Sequence, residues 1–365
     1  MAQQNEGRRA PDSGEDDAVR REQPDLKNMT LAELTAWVEK AGLPAFRARQ
    51  IFSWIARGST TFASMTNLPK ELREQLETQA RLGSLQIEIM QKSEDGTRKF
   101  LFRLPDSSGI EAVFLRYHYG NSICLSSQVG CAMGCAFCAS TIGGCRRNLT
   151  AGEMYDQLLC AERVTGESIR HIVIMGTGEP LANYNELLRL LDIVHEPEGL
   201  GIGLRNITVS TCGLVPEIER FTEDLPQVNL AISLHAPDNE LRDRLMPVNR
   251  RYPLEQLMPA CRRYVEHTGR RITFEYALIA GLNDSRRMIH ALAELLHDSL
   301  PAGLCHVNLI PLNKVTEARL TGSSRQRAAS IASWLEEQGI AATVRRELGG
   351  DIDAACGQLR RKNNI

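Results

Sequence analysis

The spacing of apolar positions divides the chain into successive regimes. Residues 1–25 are polar and charged and hold almost no large apolar side chain, so they cannot bury enough surface to offset the entropy of ordering and are expected to form a disordered tail. Helical spacing begins at Thr30-Leu-Ala-Glu33, which fits a capping box, and continues with Leu31, Leu34, Trp37 and Val38 as an apolar stripe. Phe46, Ile51, Phe52, Trp54 and Ile55 predict a second helix, and Leu72 and Leu76 a third after Pro69. Joined by Gly and Pro turns, they predict a small helical domain over residues 26–82, which suits a docking module and a stability cap equally.

Over residues 83–118 the period changes to two, with turn signals at Asp95-Gly96 and from Pro105 to Gly109. Gln86 to Lys92, Thr97 to Leu104 and Ile110 to His118 are the expected strands of a β extension. The third carries Glu111, which by position alone reads as an exposed strand carboxylate.

Over residues 119–348 strand-like runs alternate with helical ones. The runs are Ser122 to Val129, Ile169 to Met175, Asn206 to Ser210, Val228 to Leu234, Ile272 to Ile279 and Cys305 to Leu312. Helices are expected at Ala151 to Thr165, Tyr184 to His195, Leu254 to His267, Arg286 to Asp298 and Ser324 to Gln338. This alternation predicts an α/β fold, a partial (β/α)6 barrel whose chemistry gathers at the C-terminal ends of the strands. Polar punctuation falls at those ends: Cys131, Gly176-Thr-Gly-Glu179-Pro180, Ser210-Thr-Cys-Gly213, Ser233-Leu-His235 and Asn313. Residues 349–365 trail beyond the barrel and include Cys356.

Composition narrows the class. No stretch of about 18 apolar residues suggests a membrane span, and the opening residues have no apolar signal-like run. We therefore expect a cytoplasmic protein without membrane contact. Ten cysteines in such a chain point to metal binding or catalysis before a disulfide framework. The formal charge of −2 and pI near 6.5 give no bulk attraction for a polyanion. Paired basic residues at Arg146-Arg147, Arg250-Arg251, Arg262-Arg263, Arg270-Arg271, Arg345-Arg346 and Arg360-Arg361-Lys362 permit an RNA-binding surface without requiring one.

The most specific signal is Cys131-Ala-Met-Gly-Cys135-Ala-Phe-Cys138. Zinc fingers and ribbons add a distant second cysteine pair, which is missing, and ferredoxin-type runs supply four thiolates. Three closely spaced thiolates after a first barrel strand resemble the signature of radical S-adenosylmethionine enzymes, whose [4Fe-4S] cluster leaves one iron open for the cofactor. Gly176-Thr-Gly178-Glu179-Pro180 fails as a dinucleotide fingerprint because its third glycine position is Leu181. It resembles instead the Gly-Glu-Pro element of the same superfamily. From spacing alone Cys356 reads as incidental and Cys124 as a core residue.

Longer stretches carry a closer resemblance. Asn121-Ser-Ile-Cys124-Leu-Ser-Ser-Gln-Val-Gly-Cys131, Arg147-Asn148-Leu149-Thr150, Ser233-Leu-His235-Ala-Pro, Leu241-Arg-Asp-Arg-Leu-Met-Pro-Val-Asn249 and Asp351-Ile-Asp-Ala-Ala-Cys-Gly-Gln-Leu359 resemble the RlmN/Cfr family of radical S-adenosylmethionine RNA adenine methyltransferases. The resemblance runs from about residue 30 to 360. It implies Cys131, Cys135 and Cys138 as cluster ligands and Gly178, Glu179, Ser210, Ser233, Leu234, His235 and Asn313 as cofactor contacts. It implies Cys356 as the cysteine that accepts a methyl group, Cys124 as the partner that resolves the protein–RNA adduct by forming a disulfide with it, and Glu111 as proton acceptor.

The chemistry implied by the family is two-stage, with two S-adenosylmethionine molecules per turnover. Carbon 2 of adenine lies between two electron-withdrawing nitrogens and cannot attack a sulfonium methyl. One cofactor would methylate Cys356, and a second would be cleaved to a 5′-deoxyadenosyl radical that activates that methyl toward the ring. The implied partners are 23S rRNA, tRNA, an electron donor such as flavodoxin or ferredoxin, and a thiol reductant, with the protein a monomer. The helical domain and Cys124-Leu-Ser-Ser-Gln-Val-Gly look most like the RlmN-type branch, which methylates carbon 2 of a peptidyl-transferase adenine of 23S rRNA and of the adenine 3′ to tRNA anticodons. The alternatives are a Cfr-type carbon-8 enzyme conferring antibiotic resistance and a metal-stabilised RNA-binding module without turnover. Thr177 and Cys212 depart from the family pattern, and Cys145 matches none of its ligands.

Overall fold

The computed structural model describes residues 23–312, 320–346 and 348–352. Asn313, Cys356 and nearly all of the expected tail lie outside the described residues. The helical region comprises α1 (Leu31–Lys40), α2 (Phe46–Ala56) and α3 (Lys70–Gln79). The capping box forms as its sequence dictates: Glu33 N donates to Thr30 Oγ1 at 3.2 Å and Thr30 N to Glu33 Oε2 at 2.9 Å. Leu34, Val38, Ile51, Phe52, Leu72 and Leu76 are buried in the main core. Asp25, which composition puts in the tail, accepts from Lys27 N at 3.1 Å and Gly83 N at 3.0 Å and pairs with Arg81. Lys27 is itself buried against Asp156, so this region is bolted to the α/β body by an ion pair hidden from water.

The body begins with β1 (Gln86–Lys92), β2 (Arg98–Arg103) and β3 (Gly109–Tyr117), an antiparallel meander. Next come β4 (Gly120–Cys124), β5 (Gln128–Gly130), β6 (Cys145–Asn148) and α4 (Ala151–Thr165). The alternation continues through β7 (Ile169–Ile174), α5 (Tyr184–His195), β8 (Ile207–Thr211), α6 (Val215–Asp224), β9 (Asn229–Ser233), α7 (Asn239–Leu245) and α8 (Leu254–Thr268). It ends with β10 (Ile272–Leu278), α9 (Arg286–Ser299), β11 (Cys305–Pro311), α10 (Arg325–Glu337) and β12 (Ala341–Val344). One 10-stranded sheet runs β1-β2-β3-β4-β7-β8-β9-β10-β11-β12, parallel from β4 onward. The six expected parallel strands are present, and β12 adds one more at the edge. No helix among the described residues is long and apolar enough to cross a membrane.

Two features differ from the sequence expectation. The strand expected from Ser122 to Val129 breaks after Cys124, because the Gln157 side chain on α4 takes the place of a strand neighbour. It accepts from Ser126 N at 3.0 Å and donates to Ser126 O at 3.0 Å. The chain then turns into β5, which pairs antiparallel with β6 rather than joining the main sheet. Helices α6 and α7 were not anticipated. The first opens with Pro216 in its first turn and buries Ile218, Phe221 and Thr222, and the second has seven residues, too few to show a period.

Side-chain alternation assigns the two faces of the sheet different work. Ile123, Ile172, Val209, Ile232, Phe274 and Val307 enter the main core with the helices. On the opposite face Val113, Leu115 and Cys124 form a smaller cluster with Tyr117, Val173, Met175 and Leu348. Further round that face, register places Ser233, Glu275, Asn308 and Thr343 side by side on β9 to β12.

Candidate active site

The three thiols of the Cys131–Cys138 loop lie between β5 and β6. Cys131 N donates to Gly144 O at 3.1 Å and Cys138 N to Cys135 O at 3.1 Å, while Thr141 Oγ1 donates to Cys138 O at 2.9 Å. Gly130 enters the loop at φ 81°, and a Cβ there would lie 2.0 Å from Gly144 O, so only glycine fits. On the outer side Ala136 N donates to Leu245 O at 2.9 Å, and Met133, Cys135 and Phe137 pack against Leu241, Leu245 and Met246.

Burial pushes the Cys131 thiol up to about 11; the Met133 N–H opposes this, and the Cys138, Glu179 and Cys145 side chains add to it. Burial also raises the Cys135 thiol, assisted by Cys138, Cys131 and Glu179. Cys131 and Cys135 therefore share with Cys138 one neighbourhood in which ionisation of either is disfavoured. A multiply charged soft metal centre removes that conflict by binding the thiolates outright. A single tetrahedral zinc at about 2.3 Å from each sulfur would draw its ligands into close contact. A cubane asks for less convergence, since each thiolate sits on a different iron. The donor set fits a [4Fe-4S] cluster with an open iron.

The turn after β7 forms the adjoining wall. Gly178 has φ 116°, and a Cβ there would come 2.7 Å from Gln128 N, so the Gly-Glu-Pro turn lies hard against the connection leading into the thiol loop. Thr177, where the family pattern has another residue, is buried; its O accepts from Ser127 N and Gln128 N at 2.9 and 3.1 Å, and its Oγ1 lies 3.3 Å from Ser140 Oγ. Glu179 is buried, and its carboxylate accepts from Leu181 N at 3.0 Å and Cys212 N at 2.8 Å. Burial raises its carboxyl, and the Cys212 and Leu181 N–H groups oppose that shift. The Cys212 thiol is pushed well up, first by burial and then by the neighbouring Glu179 carboxylate.

Ser210 lies on β8 and Ser233 at the end of β9, both half-buried. Leu234 is buried in the main core; its N donates to Glu275 O at 3.1 Å and its O accepts from Arg242 Nε at 3.2 Å. His235 adopts φ 58°, unusual for a residue with a Cβ, and its Nδ1 accepts from Ala277 N at 2.9 Å. Burial, with Arg242 assisting, pulls it down to about 3, so it is neutral with its proton on Nε2. Its ring meets Phe137 edge-on at 4.6 Å, which joins the thiol loop to the end of β9.

Glu111, expected to be exposed if read alone, is buried and pairs with Lys99 Nζ at 2.9 Å. It shares a face of β3 with Val113, whose partner across the ladder is Cys124, and its carbonyl accepts from Ser126 Oγ, just beyond β4, at 2.6 Å. Cys145, on β6, is half-buried and its thiol donates to Arg147 O at 3.7 Å. Sequence reasoning did not single out Lys99, Gln157, Glu275, Asn308 or Arg242. The last lay inside the stretch Leu241 to Asn249, and its position between Leu241 and Leu245 was the available signal.

Comparison with known proteins matches this arrangement. The model of the Radical SAM superfamily covers residues 125–293, and that of the Ribosomal RNA large subunit methyltransferase N-terminal domain covers residues 24–82. The chain is 50% identical over 339 residues to a probable dual-specificity RNA methyltransferase RlmN of Desulforamulus reducens, spanning 92% of this chain and 96% of the relative. It is 50% identical over 344 residues to the protein of the same description in Geobacillus kaustophilus, spanning 93% of each. The crystal structure of a radical SAM methyltransferase from Sphaerobacter thermophilus superposes with a TM-score of 0.87 at 48% identity, over 92% of this chain and 98% of that one. With the thiol loop, the Gly-Glu-Pro wall and the helical region all inside these matches, the chain belongs to the RlmN family of the radical S-adenosylmethionine superfamily.

Proposed function

We propose that this protein methylates carbon 2 of one adenine in the peptidyl-transferase centre of 23S rRNA and of the adenine 3′ to the anticodon in tRNAs, by way of a methylated Cys356. In coarser terms it is a radical SAM RNA methyltransferase, the activity for which its half-identical relatives are named. Held by Cys131, Cys135 and Cys138, the cluster with S-adenosylmethionine supplies the one-electron cleavage of a carbon–sulfur bond that a reaction at an electron-poor ring carbon needs.

The observation that carries the finer reading is the course of the chain just before Cys356. Leu348 packs on the wall of Val113, Leu115 and Cys124. Gly349 N donates to Asp95 Oδ2 at 2.8 Å, and Asp351 accepts from Ser93 Oγ and, at 3.1 Å, from Glu94 N. The segment leading to Cys356 is thus tied down on the side of the sheet that carries Cys124. Ile352 precedes Cys356 by four positions, at most about 14 Å of extended chain. This supports Cys356 as methyl acceptor and Cys124 as the thiol that resolves the adduct. Glu111, held away from water by Lys99, supports the role of proton acceptor. Glu179, Ser210, Ser233, Leu234 and His235, together with Asn313 outside the described residues, would seat the cofactor. The same reading implies two cofactor molecules per turnover, a flavodoxin or ferredoxin as electron donor, and a cytoplasmic thiol reductant that resets the cysteine pair.

The test is to incubate anaerobically reconstituted protein with S-adenosylmethionine, reductant and unmodified 23S rRNA or tRNA, then to digest the RNA and resolve methyladenosine isomers by mass spectrometry. We expect 2-methyladenosine from both substrates, lost in Cys356→Ala. Only 8-methyladenosine would move the protein to the carbon-8 branch, and cofactor cleavage without any methyladenosine would remove these RNAs as substrates.

A further inference from the structure

Arg242 heads the fully buried side chains in size, with 0% of it exposed. Its guanidinium is held almost entirely by neutral oxygens: Nε donates to Leu234 O at 3.2 Å, Nη1 to Asn249 Oδ1 at 2.7 Å, and Nη2 to Cys212 O at 2.7 Å and Ser233 O at 3.3 Å. It therefore clamps the ends of β8 and β9, where the expected cofactor contacts Ser233 and Leu234 lie. With four of its five N–H donors engaged in this way, it is a positioning residue rather than a ligand-binding one.

Its hydrogen bonds are satisfied but its charge is not. Among the described residues no carboxylate lies within ion-pair distance of it; its neighbour Asp243 accepts from Asn249 Nδ2 at 2.7 Å. Burial pulls the guanidinium down from its ordinary value, and the groups that oppose this are the thiols of Cys212, Cys261 and Cys135 and, after them, the half-buried Asp243 carboxylate, which reaches the guanidinium only through Asn249. A buried cation surrounded by neutral acceptors is costly unless an anion shares its low-dielectric surroundings. The helix that carries it, α7, is also the one bonded to the thiol loop through Ala136 N and Leu245 O. A cubane bound by three thiolates is anionic overall, and more so once it accepts an electron.

We propose that Arg242 is the buried counter-charge of the cluster site, clamping the β8 and β9 ends by hydrogen bonds while its positive charge is balanced by the thiolate-bound cluster. The proposal rests on the cluster reading above. Because the cation favours the more anionic, reduced form, Arg242 raises the reduction potential of the cluster and so eases electron entry.

The experiment is an anaerobic redox titration of reconstituted wild type, R242Q and R242K, followed by electron paramagnetic resonance of the reduced cluster. Thermal unfolding is recorded for each protein with and without the cluster. R242Q is expected to make reduction about tenfold less favourable, about 59 mV for one electron, and to gain less thermal stability than wild type on loading. R242K keeps the charge and not the fork, so its potential stays within about threefold of wild type. If R242Q does not fold, R242K alone decides, since a tenfold loss there overturns the proposal. An R242Q cluster with wild-type potential also overturns it while leaving the cluster reading intact. Wild type that assembles no [4Fe-4S] cluster overturns both.

Discussion

Lys99 and Glu111 form an ion pair of 2.9 Å with 0% and 4% of their side chains exposed. Lys99 on β2 and Glu111 on β3 come together across an antiparallel ladder in which Lys99 sits opposite Val113 and Leu101 opposite Glu111. Removing one member leaves the other charge in a dry interior, so Lys99→Met and Glu111→Gln should each cost about 3–5 kcal/mol. The double variant should recover much of that loss. Urea unfolding of the four proteins closes the cycle. If Glu111 accepts the proton, the double variant is stable and still fails to release methylated RNA, whereas a purely structural pair would leave it active.

The clasp between Asp95 and Gly349 gives a dependence on pH. Burial pushes the Asp95 carboxyl up, but the N–H groups of Gly349 and Thr97, which it accepts from at 2.8 Å each, outweigh it and hold the group at about 2, below its usual 3.8. A carboxyl lowered on folding stabilises the fold above its unfolded value and loses that contribution as pH falls through the folded one. The difference in urea midpoint between wild type and Asp95→Asn should be constant from pH 7 to about 5, shrink as pH falls through 4 toward 2, and level off at its smallest value below about pH 2. A difference that persists unchanged at pH 2 would remove Asp95 as the titrating group.

Gly178→Ala should be disproportionately harmful for a methyl group. At φ 116°, with Gln128 N only 2.7 Å from the new Cβ, the turn must move, at a cost of about 1–3 kcal/mol. Because that turn delivers Glu179, calorimetric titration of S-adenosylmethionine into folded Gly178→Ala should show affinity reduced at least tenfold. Normal affinity would remove this turn from the cofactor site.

Iron content separates the cysteines by role. Cys131→Ala, Cys135→Ala and Cys138→Ala should each purify with little iron and no absorbance from a cluster. Cys145→Ala and Cys356→Ala should keep a full complement, and Cys356→Ala should cleave cofactor without methylating RNA. Chelation of iron from wild type should abolish both reactions, with anaerobic reconstitution restoring them.

Much of this arrangement was legible in the chain because it rests on local spacing. Thr30 and Glu33, the stripe on α1, the alternation in β1 to β3 and the cysteine spacing each express a period or a turn that neighbouring residues reveal. What stayed hidden depends on pairing between distant segments. Lys99 looks like any strand lysine until β3 closes on β2 and buries both faces. Gln157 looks like a helix-surface amide until it replaces a strand partner for Ser126, which is also why the first barrel strand seemed longer than it is. Arg242 sits on a helix too short to show a period, and its burial appears only once the β8 and β9 ends converge on it. Glu111 is the reverse case: position alone made it an exposed acid, and the family resemblance drew attention to a group the fold buries.

The bonds that fasten Gly349 and Asp351 to the turn at Ser93 to Asp95 join residues more than 250 positions apart, with separations of 254 to 258. They carry the chain from beyond β12, one outer strand of the sheet among the described residues, to the β1–β2 turn at the other side. Such contacts close a very long loop and offer little gain until the strands between them are in place, so they belong to the last events of folding. During synthesis the thiol loop emerges more than two hundred residues earlier than this fastening. A nascent chain can therefore shape its loop of three thiols well before the segment at Gly349 and Asp351 is secured, and the order of translation separates forming that loop from fastening the segment beyond β12 to the first turn of the sheet.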